Sequence, residues 1–271
     1  MIDILKEKTI EKDECSIHYW VSRKDKAPWL IFLHGAGTDH RMFKDQIPLV
    51  YDKFSIMLWD ARGHGLSRPM GKDFSIKLLI DDLTEIMKVE GIDSATLIGQ
   101  SMGGNTAQEM VFYHPDRVKS LVLIDCTCNT MKLSSVEKLL VKITPFLLDL
   151  CPWELLAKSS AKVSSVSAEI QSYLIETFKV VGKKDFGKIL IKTTECLHYE
   201  KNYKMNMPFM LVCGELDNTG NIRKVALPWS KREPNCEFHM IKNASHCSHQ
   251  DNPREFNKLF NDFLIKQYPL V

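Results

Sequence analysis

Six short runs of apolar residues recur along the chain, and they alternate with segments whose apolar residues have helical spacing. The runs cover residues 29–33, 55–59, 95–99, 121–124, 208–213 and 238–241. Because each run is apolar on both faces of a strand, it indicates a parallel sheet that helices cover on both sides. Helical spacing occupies residues 75–90, 102–114 and 253–267. The alternation predicts an α/β fold with a doubly wound, mostly parallel sheet, and the first twenty-odd residues are expected to add an antiparallel hairpin at its edge.

The strand–helix alternation stops between residues 127 and 204. This segment has helical patterns and no clear strand. A connection of roughly 75 residues far exceeds the usual length of about four to six residues. The sequence therefore predicts a core formed by residues 1–126 and 205–271, with residues 127–204 inserted as a helical cap. A chain of 271 residues can support one core with such an insertion.

The charges of the chain are nearly balanced, with 36 Lys and Arg residues against 34 Asp and Glu residues. This balance argues against a nucleic acid or an anionic membrane as the main partner. The N-terminus carries charged residues where a signal peptide has an apolar run, and no apolar stretch reaches the roughly 20 residues of a membrane span. We therefore expect a cytoplasmic location, in which the eight cysteines stay reduced.

The segment Gly99-Gln100-Ser101-Met102-Gly103 joins a predicted strand to a predicted helix. This is the context of the nucleophile-elbow motif, in which glycines allow a tight turn that exposes a serine at the edge of the sheet. The start of the following helix adds backbone N–H groups and a partial positive charge. Although Gly-x-Ser-x-Gly alone can be a structural turn, the strand–turn–helix context favours Ser101 as a nucleophile.

An oxyanion hole needs two converging hydrogen-bond donors. The N–H of Met102, directly after the serine, is the first predicted donor. The second is expected from the loop after an earlier strand, with the N–H of Ala36 favoured over that of Gly37. Gly35, Gly37 and Gln100 are expected to contact the substrate. His34 in the same loop is expected to form structural hydrogen bonds.

Five segments in this order resemble the α/β-hydrolase superfamily. They are residues 34–37, residues 60–67, the Ser101 elbow, residues 214–217, and His246 with the later Asn252-Pro253 pair. The resemblance covers most of the chain and is to the cap-bearing branch, which includes small esterases, lactonases, carbon–carbon bond hydrolases and cofactor-free perhydrolases. It implies chemistry without a metal or another cofactor. Because the elbow residue is Ser rather than Asp, it argues against a haloalkane dehalogenase or an epoxide hydrolase.

The resemblance implies that His246 is the catalytic base and Asp217 the acid that orients it, which satisfies the family order Ser…Asp…His. His249 is the alternative base, and Asp125 is the alternative acid. The family usually has Gly directly before the histidine, whereas this chain has Ser245.

Residues 60–67 are typical of the same family and are expected to be structural. We expect Asp60 and Arg62 to pair and to fix this loop beneath the site.

These residues predict a serine hydrolase that cleaves a small or medium-chain, uncharged ester or lactone with an apolar acyl group, through an acyl-enzyme on Ser101. Two alternatives remain open. One is a carbon–carbon bond or amide hydrolase with the same three residues, and the other is a slow-turnover ligand receptor or signalling protein.

Overall fold

The computed structural model describes residues 4–269, except for the side chains of residues 145–149. The outermost residues of the predicted core, 1–3 and 270–271, and those five cap side chains therefore lie outside the described part of the chain.

One eight-stranded sheet occupies the centre of the described structure. Its strands are β1 (Lys6–Lys12), β2 (Cys15–Ser22), β3 (Trp29–Leu33), β4 (Ser55–Trp59), β5 (Ala95–Gln100), β6 (Val118–Ile124), β7 (Phe209–Gly214) and β8 (Cys236–Ile241). Their order is β1-β2-β4-β3-β5-β6-β7-β8. Strands β3 to β8 are parallel, whereas β1 pairs with β2, and β2 with β4, in antiparallel fashion. This confirms the predicted α/β sheet and its antiparallel hairpin at one edge.

Ten α-helices are present among residues 4–269. They are α1 (Ile47–Val50), α2 (Ile76–Val89), α3 (Met102–Tyr113), α4 (Ser135–Leu150), α5 (Trp153–Ser164), α6 (Ala168–Val181), α7 (Lys183–Thr194), α8 (Ile222–Arg232), α9 (Ser248–Asp251) and α10 (Pro253–Gln267). Two short 3-10 helices cover His40–Phe43 and Pro115–Arg117.

Two apolar clusters lie on opposite faces of the sheet. One contains buried residues of α2, α3 and α8, and the other contains buried residues of α1 and α10. Strands β4, β5 and β7 are buried at every position because helices cover them on both sides. Strand β1 instead lies at the edge, and its Lys and Glu residues protect that edge from pairing with another chain.

Local signals in the sequence explain where the long helices begin and end. The hydroxyl of Ser75 accepts a hydrogen bond from the N–H of Leu78 and caps α2. The helix is followed by Gly91, whose φ of +60° lies in the left-handed region that glycine adopts at little cost. Helix α10 begins similarly, with Asn252 as its cap and Pro253 in its first turn.

Helices α4 to α7 all lie between β6 and β7, within the segment predicted as the cap. The rings of Phe178 (α6) and Phe186 (α7) pack with centroids 4.8 Å apart. Buried residues of α5, α6 and α7 belong to the same apolar cluster as those of α2, α3 and α8. Within residues 4–269, the structure contains no helix with the length and apolar character needed to cross a bilayer.

Candidate active site

Ser101 lies between the end of β5 and the start of α3, in a strained conformation with φ 49° and ψ −114°. The turn is tight because strand and helix nearly touch. A Cβ atom at Gly103 would lie 1.9 Å from the carbonyl oxygen of Leu33 in β3. Only glycine fits at this position, which is the physical reason for the glycine two residues after the serine. The strain presents the Ser101 hydroxyl at the carboxyl edge of the sheet.

The structure brings Ser101, His246 and Asp217 into one hydrogen-bonded line. The Nε2 atom of His246 lies 2.9 Å from Oγ of Ser101, and its Nδ1 atom lies 3.0 Å from Oδ2 of Asp217. His246 follows β8 and Asp217 follows β7, so loops from three parallel strands meet at the same edge. His246 and Asp217 are both buried, with 7% and 1% of their respective surfaces exposed.

The pKa values of the acid and the imidazole move apart. Burial alone would raise the pKa of Asp217, but the charge of His246 and hydrogen bonds from His246 and Thr219 outweigh it and lower this pKa. Burial alone would lower the pKa of His246, but the Asp217 carboxylate, by its charge and its hydrogen bond, raises it above 6.5. Asp217 therefore stays ionised and stabilises a proton on His246.

Asp125, the alternative acid, has different partners. Its two carboxylate oxygens accept hydrogen bonds from the N–H groups of Gly214 (2.7 Å) and Ser248 (2.8 Å). Full burial, together with the charge of Asp217, raises the pKa of Asp125 to about 7. It makes no hydrogen bond to His246 within the described residues, so the structure places Asp217 rather than Asp125 on the imidazole.

The two carboxylates also belong to the single cluster of possible metal ligands in the described residues. Asp125, Cys213 and Asp217 offer ligand atoms within 4.8 Å of one another. The oxygens of both acids already accept hydrogen bonds from the protein, including one from the N–H of Thr219 to Asp217 at 2.7 Å. The cluster is therefore occupied by the network that holds His246.

His249, the alternative base, packs against two aromatic rings and makes no hydrogen bond to Ser101 in the described part of the chain. Its ring is fully buried and lies 5.4 Å from the ring of Phe43 and 5.8 Å from that of Phe256, measured between centroids. Neither ring nitrogen has a hydrogen-bond partner among the described residues. Burial lowers the pKa of His249 to about 3, so the ring is a neutral part of the core.

The two predicted oxyanion donors lie beside the hydroxyl. Met102 follows Ser101 directly, and Ala36 lines the same cavity as Ser101 and His246. Within residues 4–269, neither N–H donates to a protein acceptor. Both are therefore available to an oxygen of a bound molecule.

The residues predicted to contact substrate have other neighbours. Gln100 is buried, and its side-chain amide donates to the carbonyl oxygen of His246 at 2.7 Å, so it holds the backbone of His246 and does not line the cavity. Gly35 lies against Gln100 because a Cβ atom there would overlap the Gln100 amide. Gly37 lies beneath the rings of Phe178 and Phe186, each 2.6 Å from where its Cβ would be.

The expected pairing of Asp60 with Arg62 is wrong. Arg62 instead forms a buried two-bond ion pair with Asp82 of α2, at 2.6 and 2.7 Å. Asp60 accepts hydrogen bonds from the backbone and ring of His40 and from the N–H of Leu66. The loop is structural as expected, but its two charged residues are each fixed by a different element.

Helix α5, in the segment predicted as the cap, is bonded directly to the loop that carries His246, which the sequence did not predict. The hydroxyl of Ser245 donates to the carbonyl of Val163 at 2.6 Å, and the N–H of Cys247 donates to the carbonyl of Ser164 at 2.8 Å. Asp251 accepts from the N–H of Ser245 (2.8 Å) and from the hydroxyl of Ser165 in the cap. The sequence feature that could have indicated this contact is Ser245, which occupies the position where the family usually has Gly.

A cavity of about 310 Å³ extends from Ser101 and His246 to helices α5, α6 and α7. Its other lining residues are Ala36, Ser159, Ser160, Val163, Ser164, Phe178, Phe186, Leu190 and Thr219. None of the described lining residues is Lys, Arg, Asp or Glu. The site can therefore hold an uncharged molecule with its reacting atom next to the serine.

A family model described as the alpha/beta hydrolase fold matches residues 28–150. The crystal structure of the enol-lactonase from Burkholderia xenovorans LB400 superposes with a TM-score of 0.80 at 19% sequence identity, and the match covers 95% of this chain and 99% of that one. The chain has the α/β-hydrolase fold. This fold accounts for the sheet that positions the five sequence segments.

Curated relatives of the chain carry several different activities in their names. The 3-oxoadipate enol-lactonase 1 of Acinetobacter baylyi is 21% identical over 251 residues, which are 90% of this chain and 91% of that enzyme. A fluoroacetate dehalogenase of a Burkholderia species is 28% identical over 120 residues. That match spans 42% of this chain and only 40% of the dehalogenase.

Proposed function

We propose that this α/β-hydrolase is a serine hydrolase that cleaves a small or medium-chain carboxylic ester or lactone. The observation that supports the proposal most is the line from Ser101 Oγ through His246 to Asp217, with distances of 2.9 and 3.0 Å. Hydrogen bonds of this length connect the nucleophile to its base and the base to its orienting acid.

Acylation follows from this arrangement. The Ser101 hydroxyl attacks the substrate carbonyl carbon while Nε2 of His246 takes its proton. The carbonyl oxygen becomes an oxyanion that the N–H groups of Met102 and Ala36 stabilise. As the tetrahedral intermediate breaks down, His246 gives the proton to the leaving alkoxide, and the acyl group stays on Ser101 as an ester.

Deacylation repeats the same steps with water. His246 removes a proton from a water molecule that attacks the acyl-enzyme, and then returns the proton to Ser101 as the acid leaves. Asp217 keeps the proton of Nδ1 on the far side of the ring, so that Nε2 faces Ser101 without a proton at the start of each step.

The cavity supports an uncharged substrate of modest size. It has a volume of about 310 Å³ and offers no Lys or Arg side chain, among its described lining residues, to a carboxylate or phosphate. Phe178, Phe186 and Leu190 provide an apolar surface for an acyl chain. Ser rather than Asp at the elbow argues against carbon–halogen and epoxide cleavage, although one relative is named a dehalogenase.

A substrate panel tests the proposal. We expect the wild type to hydrolyse p-nitrophenyl butyrate or an uncharged lactone, and Ser101→Ala to lose this activity. Turnover restricted to an aryl amide or to a 1,3-diketone would favour the amide or carbon–carbon hydrolase. No turnover of any class, together with saturable ligand binding, would favour the receptor.

A further inference from the structure

The cavity beside Ser101 has two chemically different walls. One is apolar and is formed by Ala36, Phe178, Phe186 and Leu190. The other carries hydroxyl groups, from the serines at positions 159, 160 and 164 of α5 and from Thr219 in the loop after β7, and it also includes the side chain of Val163. A substrate that fills the cavity meets both walls.

The apolar wall lies on the side of the predicted oxyanion loop. The rings of Phe178 and Phe186 pack directly on Gly37, one residue beyond Ala36. Gly37 has a φ of +79°, and a Cβ atom there would lie 2.6 Å from each ring. Because no side chain separates the loop from the rings, the aromatic surface begins next to the N–H of Ala36.

The hydroxyl wall lies on the side of the base. The carbonyl of Ser164 accepts a hydrogen bond from Cys247, the residue after His246, at 2.8 Å. The hydroxyl of Ser245, the residue before His246, bonds to the carbonyl of Val163 at 2.6 Å. The N–H of Thr219 donates to Asp217, the partner of the His246 ring, at 2.7 Å. The bonds of Ser245 and Cys247 hold the serine-bearing end of α5 against the loop that carries His246.

Two of the four wall hydroxyls, those of Ser160 and Ser164, are available to a ligand, whereas the hydroxyl oxygen of Thr219 is buried. Ser160 and Ser164 are four residues apart and so project from the same face of α5. Neither hydroxyl has a partner within residues 4–269, whereas that of Ser159 donates to the carbonyl of Leu156 at 3.0 Å. A hydroxyl is uncharged and can both donate and accept, so the wall suits an alcohol rather than an ion.

The chemistry of the proposed function decides which part of the substrate meets which wall. His246 must protonate the leaving oxygen, so the alcohol portion lies beside the imidazole and the acyl chain extends away from it. We infer that the substrate is an ester whose alcohol carries further hydroxyl groups, with the alcohol against Ser160 and Ser164 and an apolar acyl chain against the aromatic wall. This inference rests on the proposed serine hydrolase function.

Two esters that differ only in the alcohol test the inference: 2,3-dihydroxypropyl hexanoate and propyl hexanoate. Both give the same acyl-enzyme, so a difference in kcat/KM reports the acylation step in which the alcohol is still bound. We expect the wild type to prefer the diol ester by about 5- to 25-fold, which corresponds to one or two net hydrogen bonds of about 1 kcal/mol each.

Variants test whether the hydroxyl wall causes the preference for the diol ester. We expect Ser160→Ala and Ser164→Ala each to lower the ratio of the two kcat/KM values by about 5-fold. The control is Ser172→Ala, an exposed serine of α6 whose hydroxyl donates to the carbonyl of Ala168 at 2.9 Å. Leu190→Ala should instead reduce hexanoates relative to acetates, equally for both alcohols.

The possible results distinguish a failure of this inference from a failure of the proposed serine hydrolase function. Equal kcat/KM values for the two esters in the wild type would overturn the inference while leaving the serine hydrolase intact. The same holds if the two alanine variants slow both esters equally, because that result indicates a general effect on the cap. If neither ester is hydrolysed by the wild type, both the inference and the proposed ester cleavage fail.

Discussion

Two buried carboxylates lie near His246, and replacing them one at a time shows which one orients the base. In Asp217→Asn, the carboxylate oxygen that now lies 3.0 Å from Nδ1 is replaced by one end of an amide. An amide can donate a hydrogen bond to Nδ1, which favours the tautomer with the proton on Nε2. That proton then faces the Ser101 hydroxyl, and the ring can no longer act as a base.

The expected loss follows from this change of tautomer. When an orienting acid of this kind becomes an amide, kcat falls by about 10⁴-fold, which corresponds to about 5.5 kcal/mol in the activation barrier. Asp125→Asn should act differently, since the oxygens of Asp125 hold the N–H groups of Gly214 and Ser248. One of these N–H groups would face an NH₂ group and lose its acceptor, which costs about 1–3 kcal/mol of stability. We expect kcat in this variant to fall by less than about 10-fold.

The assay is kcat for p-nitrophenyl butyrate at pH 8, normalised to the concentration of active sites, together with the free energy of unfolding in urea. Asp217→Asn should lose activity and keep most of its stability, and Asp125→Asn should show the reverse. The reasoning is refuted if Asp217→Asn stays within 10-fold of the wild type. It is equally refuted if Asp125→Asn loses 10⁴-fold in kcat while its unfolding free energy is unchanged.

Three further predictions follow from the same contacts. The kcat/KM for an uncharged ester should rise with pH through a midpoint above 6.5, because His246 must be neutral and its pKa is raised by Asp217; a midpoint below 6 would contradict this. Burial lowers the pKa of His249 to about 3, so between pH 6.5 and pH 3 this residue is neutral in the folded protein and protonated in the unfolded chain. Its contribution to stability should therefore be complete above pH 6.5 and should decrease by about 1.4 kcal/mol per pH unit as the pH falls from 6.5 towards 3. His249→Phe should reduce that slope in urea unfolding series, and an identical slope would show that this ring does not control acid stability. Ser245→Ala removes the hydrogen bond to Val163 and should lower the unfolding free energy by about 1 kcal/mol, whereas Ser172→Ala, on the exposed side of the cap, should leave it unchanged. Equal unfolding free energies for Ser245→Ala and the wild type would argue against this bond.

The sheet could be predicted from the sequence because burial on two faces leaves a pattern that few other structures share. The strand predicted at residues 95–99 is β5, which is buried at every position and ends one residue later. The elbow was equally visible, since the close approach of β3 at Gly103 permits only glycine. In both cases the constraint acts on neighbouring residues along the chain.

Contacts between residues that are far apart in the sequence were harder to predict. Arg62 pairs with Asp82, and the sequence offered one hint: Asp82 occupies a buried position between the apolar residues of α2, where a charge needs a partner. Gln100 was expected to face the substrate, but its amide reaches the carbonyl of His246 instead. Helical spacing predicted helices in the cap, yet it contains no information on which loop they contact.

The central claim is that Ser101 is the nucleophile, and covalent labelling tests it most directly. The protein is treated with a fluorophosphonate, digested and mapped by mass spectrometry, while ester hydrolysis is followed in parallel. The account predicts a single adduct on the peptide that contains Ser101, with activity lost in proportion to labelling and no adduct in Ser101→Ala or His246→Ala. Full ester hydrolysis by Ser101→Ala, or an adduct at another residue that abolishes activity, would contradict it.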